Sequence, residues 1–326
     1  MAHNLFENDS MLSVGEVPWH GLGTTLQVPP ATAAEALQIA KLDWTVTKKA
    51  IYLEDGTQVR ITDDAAHDSK KGSYGAMVRD DTGDILGVVG PSYLPFQNAK
   101  MGELFDPLIQ DGTVTIETCG SLFNGRRVWM LGRFGTEDMT IADGDVVRKY
   151  LLLAHGHDGS FAVRFGFTPI RVVCHNTLSF ACKDEASRLV RCLHTSNLAN
   201  NLTTLRDAMV KADEVFELTA EQFRVLVSRG VSRTDLREYA RIIVEAEQSD
   251  SKWTASQRKS IGQIIGAATE GRGNNGQNWW HAYNGVTEWL TWERGRKQDS
   301  RLSESWWGTG AKKNAEALEL AMQMSC

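Results

Sequence analysis

The sequence predicts an α+β protein: an antiparallel sheet of strand-strand-strand-strand-helix type, with additional N-terminal strands before it and a helical C-terminal region after it. Three observations carry this prediction. Residues 113–173 read as strands separated by Asn124-Gly125 and His157-Asp158-Gly159 turn signals. Beyond residue 196 the apolar residues recur at spacings of three and four, as on a helix face. A chain of 326 residues also exceeds one compact domain, so two lobes or one elaborated domain are expected, divided as 1–112, 113–195 and 196–326.

The elements follow in chain order. "VPWHGLGTTL" places Trp19 and His20 before Gly21 and Gly23, and reads as an ordered arm or loop with tight turns. Thr32 and Glu35 stand at capping-box spacing, so a short helix begins near residue 33. Strand-like pieces at about 44–52, 57–62, 73–79 and 85–90 are separated by "EDG" and "DDTGD" turns, and a helix spans about 97–110. "TVTIETCGSLFNGRRVWMLGRF" is a hairpin whose Asn124-Gly125 tip asks for a type I′ turn. Two further strands lie in "DGDVVRKYLLLAHGHDGSFAVRFGFTPIRVVC", and "HNTLSFACKDEA" reads as a helix entered through Asn176 or Thr177. Ser232 with Asp235 three residues on marks a later helix start, and "TEGRGNNGQN" at 269–278 is a break. Six of the ten tryptophans follow residue 278, in a helix candidate and the segment after it.

Composition excludes several classes. Hydrophobic content of 42% and charged content of 23% suit a soluble globular chain. No apolar run reaches the ~18 residues that span a bilayer, and the start lacks a basic-then-apolar signal, so no membrane contact and a cytoplasmic location are expected. Five cysteines without a CxxC pair fit reduced, buried thiols better than a disulfide framework or zinc knuckle. The net charge of −6 is uneven: residues 1–120 hold 8 basic against 17 acidic side chains, and residues 251–326 hold 10 against 7. Screening limits the reach of distant charge to ~8 Å, so a local basic face remains compatible with nucleic acid.

Three constellations bear on chemistry. Cys174, His175 and Asn176 are the residue types of a cysteine-protease site, but neighbours on one strand point to opposite faces, so they do not converge as a triad. They read instead as a strand-to-helix junction, with Asn176 as the cap. His155 and His157 fall on one side of a strand, and with Asp158 they make a metal candidate that needs a further ligand such as His175 or His20. The competing reading is a polar turn. Neither a nucleotide-binding loop nor a catalytic carboxylate pair stands out, so no cofactor and no catalytic residue is expected.

The third constellation is basic. Arg126, Arg127, Arg148, Lys149, Arg164 and Arg171 lie in or beside the strands, interleaved with Phe123, Trp129, Tyr150, Phe161, Phe165 and Phe167. Arg164 and Phe165 alternate across the pleat, so one sheet face collects guanidinium groups. Cationic grooves with stacking rings hold single strands without sequence preference. A solvated charged face is the plainer alternative. The late tryptophans similarly serve either the core or a contact surface beside Arg294, Arg296, Lys297, Lys312 and Lys313.

"VPWHGLGTTL", "GHDGSFAVRFGFTPIRVVCHNTLSFA" and "WWHAYNGVTEWLTW" resemble an uncharacterised family of phage- and plasmid-like proteins common in actinobacterial phages. The resemblance covers essentially the whole chain and brings no catalytic residues. It implies a phage or mobile-element protein in the cytoplasm of a bacterial host. The order of strands and helix is also similar to RecT- and Erf-type single-strand annealing proteins, an analogy of architecture alone. Together these lead to the expectation of an oligomeric, non-enzymatic protein that binds or anneals single-stranded DNA in recombination, with a host or phage recombination protein as a further partner. The alternatives are a metal-dependent hydrolase using His155, His157 and Asp158, and an interaction protein that captures a host factor through the Trp-rich end.

Overall fold

The computed structural model describes residues 10–15, 23–60, 72–135, 137–171, 176–177, 190–192, 212–294 and 308–326. Among these, the first strands are β1 (Met11–Val14), β2 (Thr24–Leu26), β3 (Val46–Ala50), β4 (Gly75–Arg79) and β5 (Ile85–Val89). Then come β6 (Val114–Leu122), β7 (Arg127–Phe134), β8 (Met139–Ala142), β9 (Asp145–Gly156) and β10 (Val163–Arg171), followed by β11 (Asn176–Thr177) and β12 (Val190–Cys192). The helices are α1 (Ala33–Ile39), α2 (Gly102–Gln110), α3 (Ala212–Ser228), α4 (Arg233–Ile243), α5 (Ala255–Glu270), α6 (Trp279–Glu288) and α7 (Thr309–Met324). The α+β class is therefore correct, with strands before the central sheet and helices after it.

The large sheet runs β11-β10-β9-β7-β6-β1-β2, with β8 continuing along β9 and β12 pairing with β10. Its pairings are antiparallel except β1 with β2. Of the expected arm, Thr24–Leu26 is strand β2 beside β1, which in turn pairs with β6, and Trp19 and His20 lie outside the described residues. At the β6–β7 tip, Asn124 and Gly125 both have positive φ, 57° and 84°, and the Arg126 N–H donates to the Phe123 carbonyl at 3.3 Å. That is the type I′ geometry expected of Asn-Gly. A separate antiparallel sheet orders β3-β4-β5. The strand expected at 57–62 is reduced to two isolated bridges, Tyr52 to Gln58 and Arg60 to Ser73, as far as the described residues extend.

The junction after β10 also departs from expectation. Asn176–Thr177 pairs with Arg171 and Ile170 as a two-residue strand, and the helix expected to follow it falls outside the described residues. Cys174, His175 and the stretch 178–189 lie outside the described residues.

Helix starts match their sequence signals. Thr32 accepts from the Glu35 N–H at 3.1 Å, and Ser232 accepts from the Asp235 N–H at 3.1 Å. Thr254 and Gln257 complete a reciprocal capping box at α5. Side chains on one face of the large sheet merge with α1, α2 and the helical region into one core, and a second cluster occupies the opposite face around Trp129, Leu131 and Leu152. Gly132 leaves room for α2 against the sheet, since a Cβ there would come within 2.8 Å of the Phe105 ring and 2.4 Å of Val114 Cγ1 on β6.

Helix α6 is buried on all sides from Trp279 to Thr287. A helix apolar or packed all round belongs to an interior. Trp279, Trp280 and Trp289 are therefore core residues rather than a contact surface, as is Trp253 near α5. At the sheet corner, buried Asp145 accepts from Trp280 Nε1–H at 2.7 Å and joins β9 to this helix.

Two predictions follow from this packing. Trp280→Phe removes a donor from a buried carboxylate and is expected to lower stability by about 1.5–3 kcal/mol, read as a reduced midpoint in urea unfolding. Cys119 is buried, which pushes its thiol up to about 12, whereas Cys326 is exposed. Native alkylation followed by peptide mapping is expected to label Cys326 and spare Cys119 until the chain is unfolded.

Candidate nucleic-acid interface

Strand β9 decides where each candidate side chain goes. Its even-numbered residues Tyr150, Leu152 and Ala154 join the second core, and its odd-numbered Leu151 and Leu153 join the main one. Arg127 on β7 pairs with Gly156, and Arg164 on β10 pairs with Ala154, so both arise beside the same end of β9. Gly156 leaves a hollow between them. A Cβ at Gly156 would meet Phe161 Cβ at 2.8 Å and its carbonyl oxygen at 3.0 Å, so Phe161 packs where a side chain is missing.

Two guanidiniums converge on that ring. The Arg127 guanidinium carbon lies 4.8 Å and that of Arg164 lies 4.6 Å from the Phe161 centroid. Arg127 is also 5.0 Å from the Phe123 ring. Both arginines are half-buried, and the neighbouring Arg126 is exposed on the hairpin tip. Such cation–π placement holds a guanidinium plane in position while keeping its charge, and is worth about 0.5–2 kcal/mol per contact.

Farther along the same face the charges are paired. Asp138, in the connection between β7 and β8, accepts from Arg133 Nη2 at 2.6 Å and from Arg148 Nε at 3.4 Å. The Arg148 Nη1 to Glu117 Oε1 distance is 4.0 Å. Tyr150 O–H donates to Glu117 Oε2 at 2.5 Å. Burial, then the adjacent Glu117 charge, pushes the Tyr150 hydroxyl well above its usual range, so it remains a donor.

The six basic residues named from sequence therefore divide. Arg126, Arg127 and Arg164 gather at one end of the sheet, and Arg148 sits in the ion-pair cluster. Lys149 points to the opposite face, with its Nζ 5.8 Å from the Phe216 ring of α3. Arg171 ends β10 with its backbone paired to Val147 and Asn176, while its side chain lies outside the described residues. The expected alternation holds, because Phe165 and Phe167 enter the main core. Rings are not confined to that side, however, since Trp129, Tyr150 and Phe161 share the guanidinium face. Glu117 and Asp138 escaped sequence reasoning because neither belongs to a motif, and Gly156 draws no separate reading because the stretch around it reads as histidines and a turn.

His155 and His157 do share a side, as expected, with ring centroids 4.7 Å apart. Both are fully buried, against Phe96 and Trp44 respectively. His157 Nε2 lies 3.0 Å from Asn98 Oδ1. Asp158 instead closes a turn, accepting from the Ser160 N–H at 2.9 Å and its hydroxyl at 2.8 Å. Among the described residues, no three His, Cys, Asp or Glu side chains form a metal-holding group. His20 and His175 lie outside those residues.

A family model described as "Domain of unknown function (DUF932)" matches residues 85–307. The chain belongs to this family. The match begins at β5 and includes both the guanidinium cluster and the ion-pair network. No curated protein and no solved structure matches the chain. No helix among its described residues is long and apolar enough to cross a membrane.

Gly156→Ala tests the seat of Phe161. The added methyl is expected to destabilise the fold by about 1–3 kcal/mol through overpacking, read in urea unfolding.

Proposed function

We propose that this DUF932 member binds single-stranded nucleic acid, acting as a single-stranded DNA binding or annealing protein. The observation that carries the proposal is the convergence of Arg127 and Arg164 on Phe161, beside exposed Arg126. A guanidinium fork suits phosphate oxygens, and the Phe161 ring holds both forks at one place. Two strands, β7 and β10, and the turns beside them supply the group, so its geometry comes from the sheet rather than from a flexible tail. The phosphodiester backbone supplies most of the affinity in such binding and makes it salt-dependent.

A phage or mobile-element setting, a homo-oligomeric assembly, a recombination partner and a cytoplasmic place of action belong to the same proposal. They are supported by the sequence resemblance and by the strand order's likeness to annealing proteins. The buried histidine pair and buried tryptophans supply no comparable support for the hydrolase and host-capture alternatives.

Fluorescence anisotropy of a labelled single-stranded oligonucleotide, titrated at two salt concentrations, tests the proposal. Micromolar or tighter binding that weakens with salt is expected. Arg127→Ala and Arg164→Ala should each weaken it by about tenfold, whereas Lys149→Ala, on the other face, should leave it unchanged. Absence of binding at low salt, or an equal loss from all three substitutions, would overturn it.

A further inference from the structure

The Arg133–Asp138–Arg148 arrangement has the form of an occupied anion site. Its two guanidiniums come from neighbouring strands β7 and β9 and remain about a third exposed, with side-chain accessibilities of 29% and 34%. One carboxylate bridges them through different oxygens, Oδ1 toward Arg133 and Oδ2 toward Arg148. A phosphodiester also presents two unesterified oxygens on one centre, so it can make the same bridge.

The two acidic residues in this cluster are held differently. Glu117 belongs to β6 and accepts the Tyr150 hydroxyl, which anchors it within the sheet. Asp138 lies in the connection between β7 and β8, just beyond Gly135 with φ of 70°. Its carboxylate is exchangeable without breaking a strand pairing.

From this geometry we infer that Arg133 and Arg148 form a second phosphate subsite, occupied by the chain's own Asp138 until a nucleic-acid phosphodiester displaces it. The inference rests on the proposed nucleic-acid binding and adds a site and its control. Strand geometry places it roughly 20 Å along β9 from the Phe161 cluster, at ~3.3 Å per residue. The intervening Trp129, Leu131 and Leu152 are buried, so the ends of the face act as separate contact points. Asp138 consequently lowers affinity by competing with the ligand.

The test is anisotropy with a single-stranded oligonucleotide across a salt series, comparing the full chain with Asp138→Asn, Glu137→Gln and Asp138→Asn/Arg148→Ala. Glu137 is exposed in the same connection, so Glu137→Gln gives the same change in net charge beside the subsite. Asp138→Asn is expected to tighten binding by about tenfold at low salt, the scale of one charge-assisted hydrogen bond. It should also steepen the log affinity against log salt slope by ~0.7 for each phosphate newly engaged. Glu137→Gln should have little effect, and adding Arg148→Ala should cancel the gain. An unchanged or weaker Asp138→Asn protein, with a native circular dichroism spectrum and thermal transition, overturns the subsite. So does an equal gain from Glu137→Gln. If Asp138→Asn misfolds, Asp138→Ser provides the same comparison. Failure of the unsubstituted chain to bind oligonucleotide instead overturns the underlying function, and thus the two failures are distinguishable.

Discussion

The pleat of β9 is the constraint on which the rest of this structure depends. Both of its faces are buried, so each residue from Tyr150 to Ala154 is committed to one of two cores. A register slip of one residue would send Leu151 and Leu153 across the sheet and bring Tyr150 into the main core. Burial on both sides therefore specifies the register strongly. The same alternation separates the histidines from the arginines: His155 and His157 face Phe96, Asn98 and Trp44, while the Gly156 hollow opens toward Arg127 and Arg164.

Around this strand, polar groups at the sheet ends do most of the joining. Asp145 accepts from Trp280 at one end, linking β9 to an entirely buried helix. At the other end, Tyr93 donates to the Gly156 carbonyl at 2.8 Å, and the turn after β9 packs Asp158 directly against Gly87 of β5. The small sheet and the helical region are thus attached to opposite ends of one strand. Buried hydrogen bonds of this kind are costly to leave unmade and so favour one arrangement over alternatives that bury similar apolar area.

The electrostatics of the second face show two ways of keeping arginine partly out of water. At one end aromatic rings support the guanidiniums of Arg127 and Arg164. At the other, Asp138 and Glu117 supply compensating charge and Tyr150 orders the carboxylate. Their ability to meet an external anion differs accordingly, since an ion pair must be exchanged whereas a cation–π contact can persist beneath a phosphate. An excess of acidic residues in the first part of the chain is compatible with either site, because individual pairings dominate at short range. Asp81, for example, is held by Arg79 through two bonds of 2.7 and 2.9 Å, which depresses its carboxyl pKa.

The sequence by itself determined the α+β class, the type I′ hairpin at Asn124-Gly125, and the helix starts at Thr32 and Ser232. These depend on local backbone preference and capping, which neighbouring residues specify directly. It also placed Arg164 opposite Phe165, because strand alternation is local. Only the tertiary structure decided that β1 joins β6, that Asn176 pairs with β10, that Lys149 leaves the arginine face, and that Trp279, Trp280 and Trp289 enter the core. It alone brought Arg127 and Arg164 to Phe161 and set Asp138 between Arg133 and Arg148. These relations depend on pairing between distant strands and on which faces become buried, and neither quantity is contained in the spacing of adjacent residues.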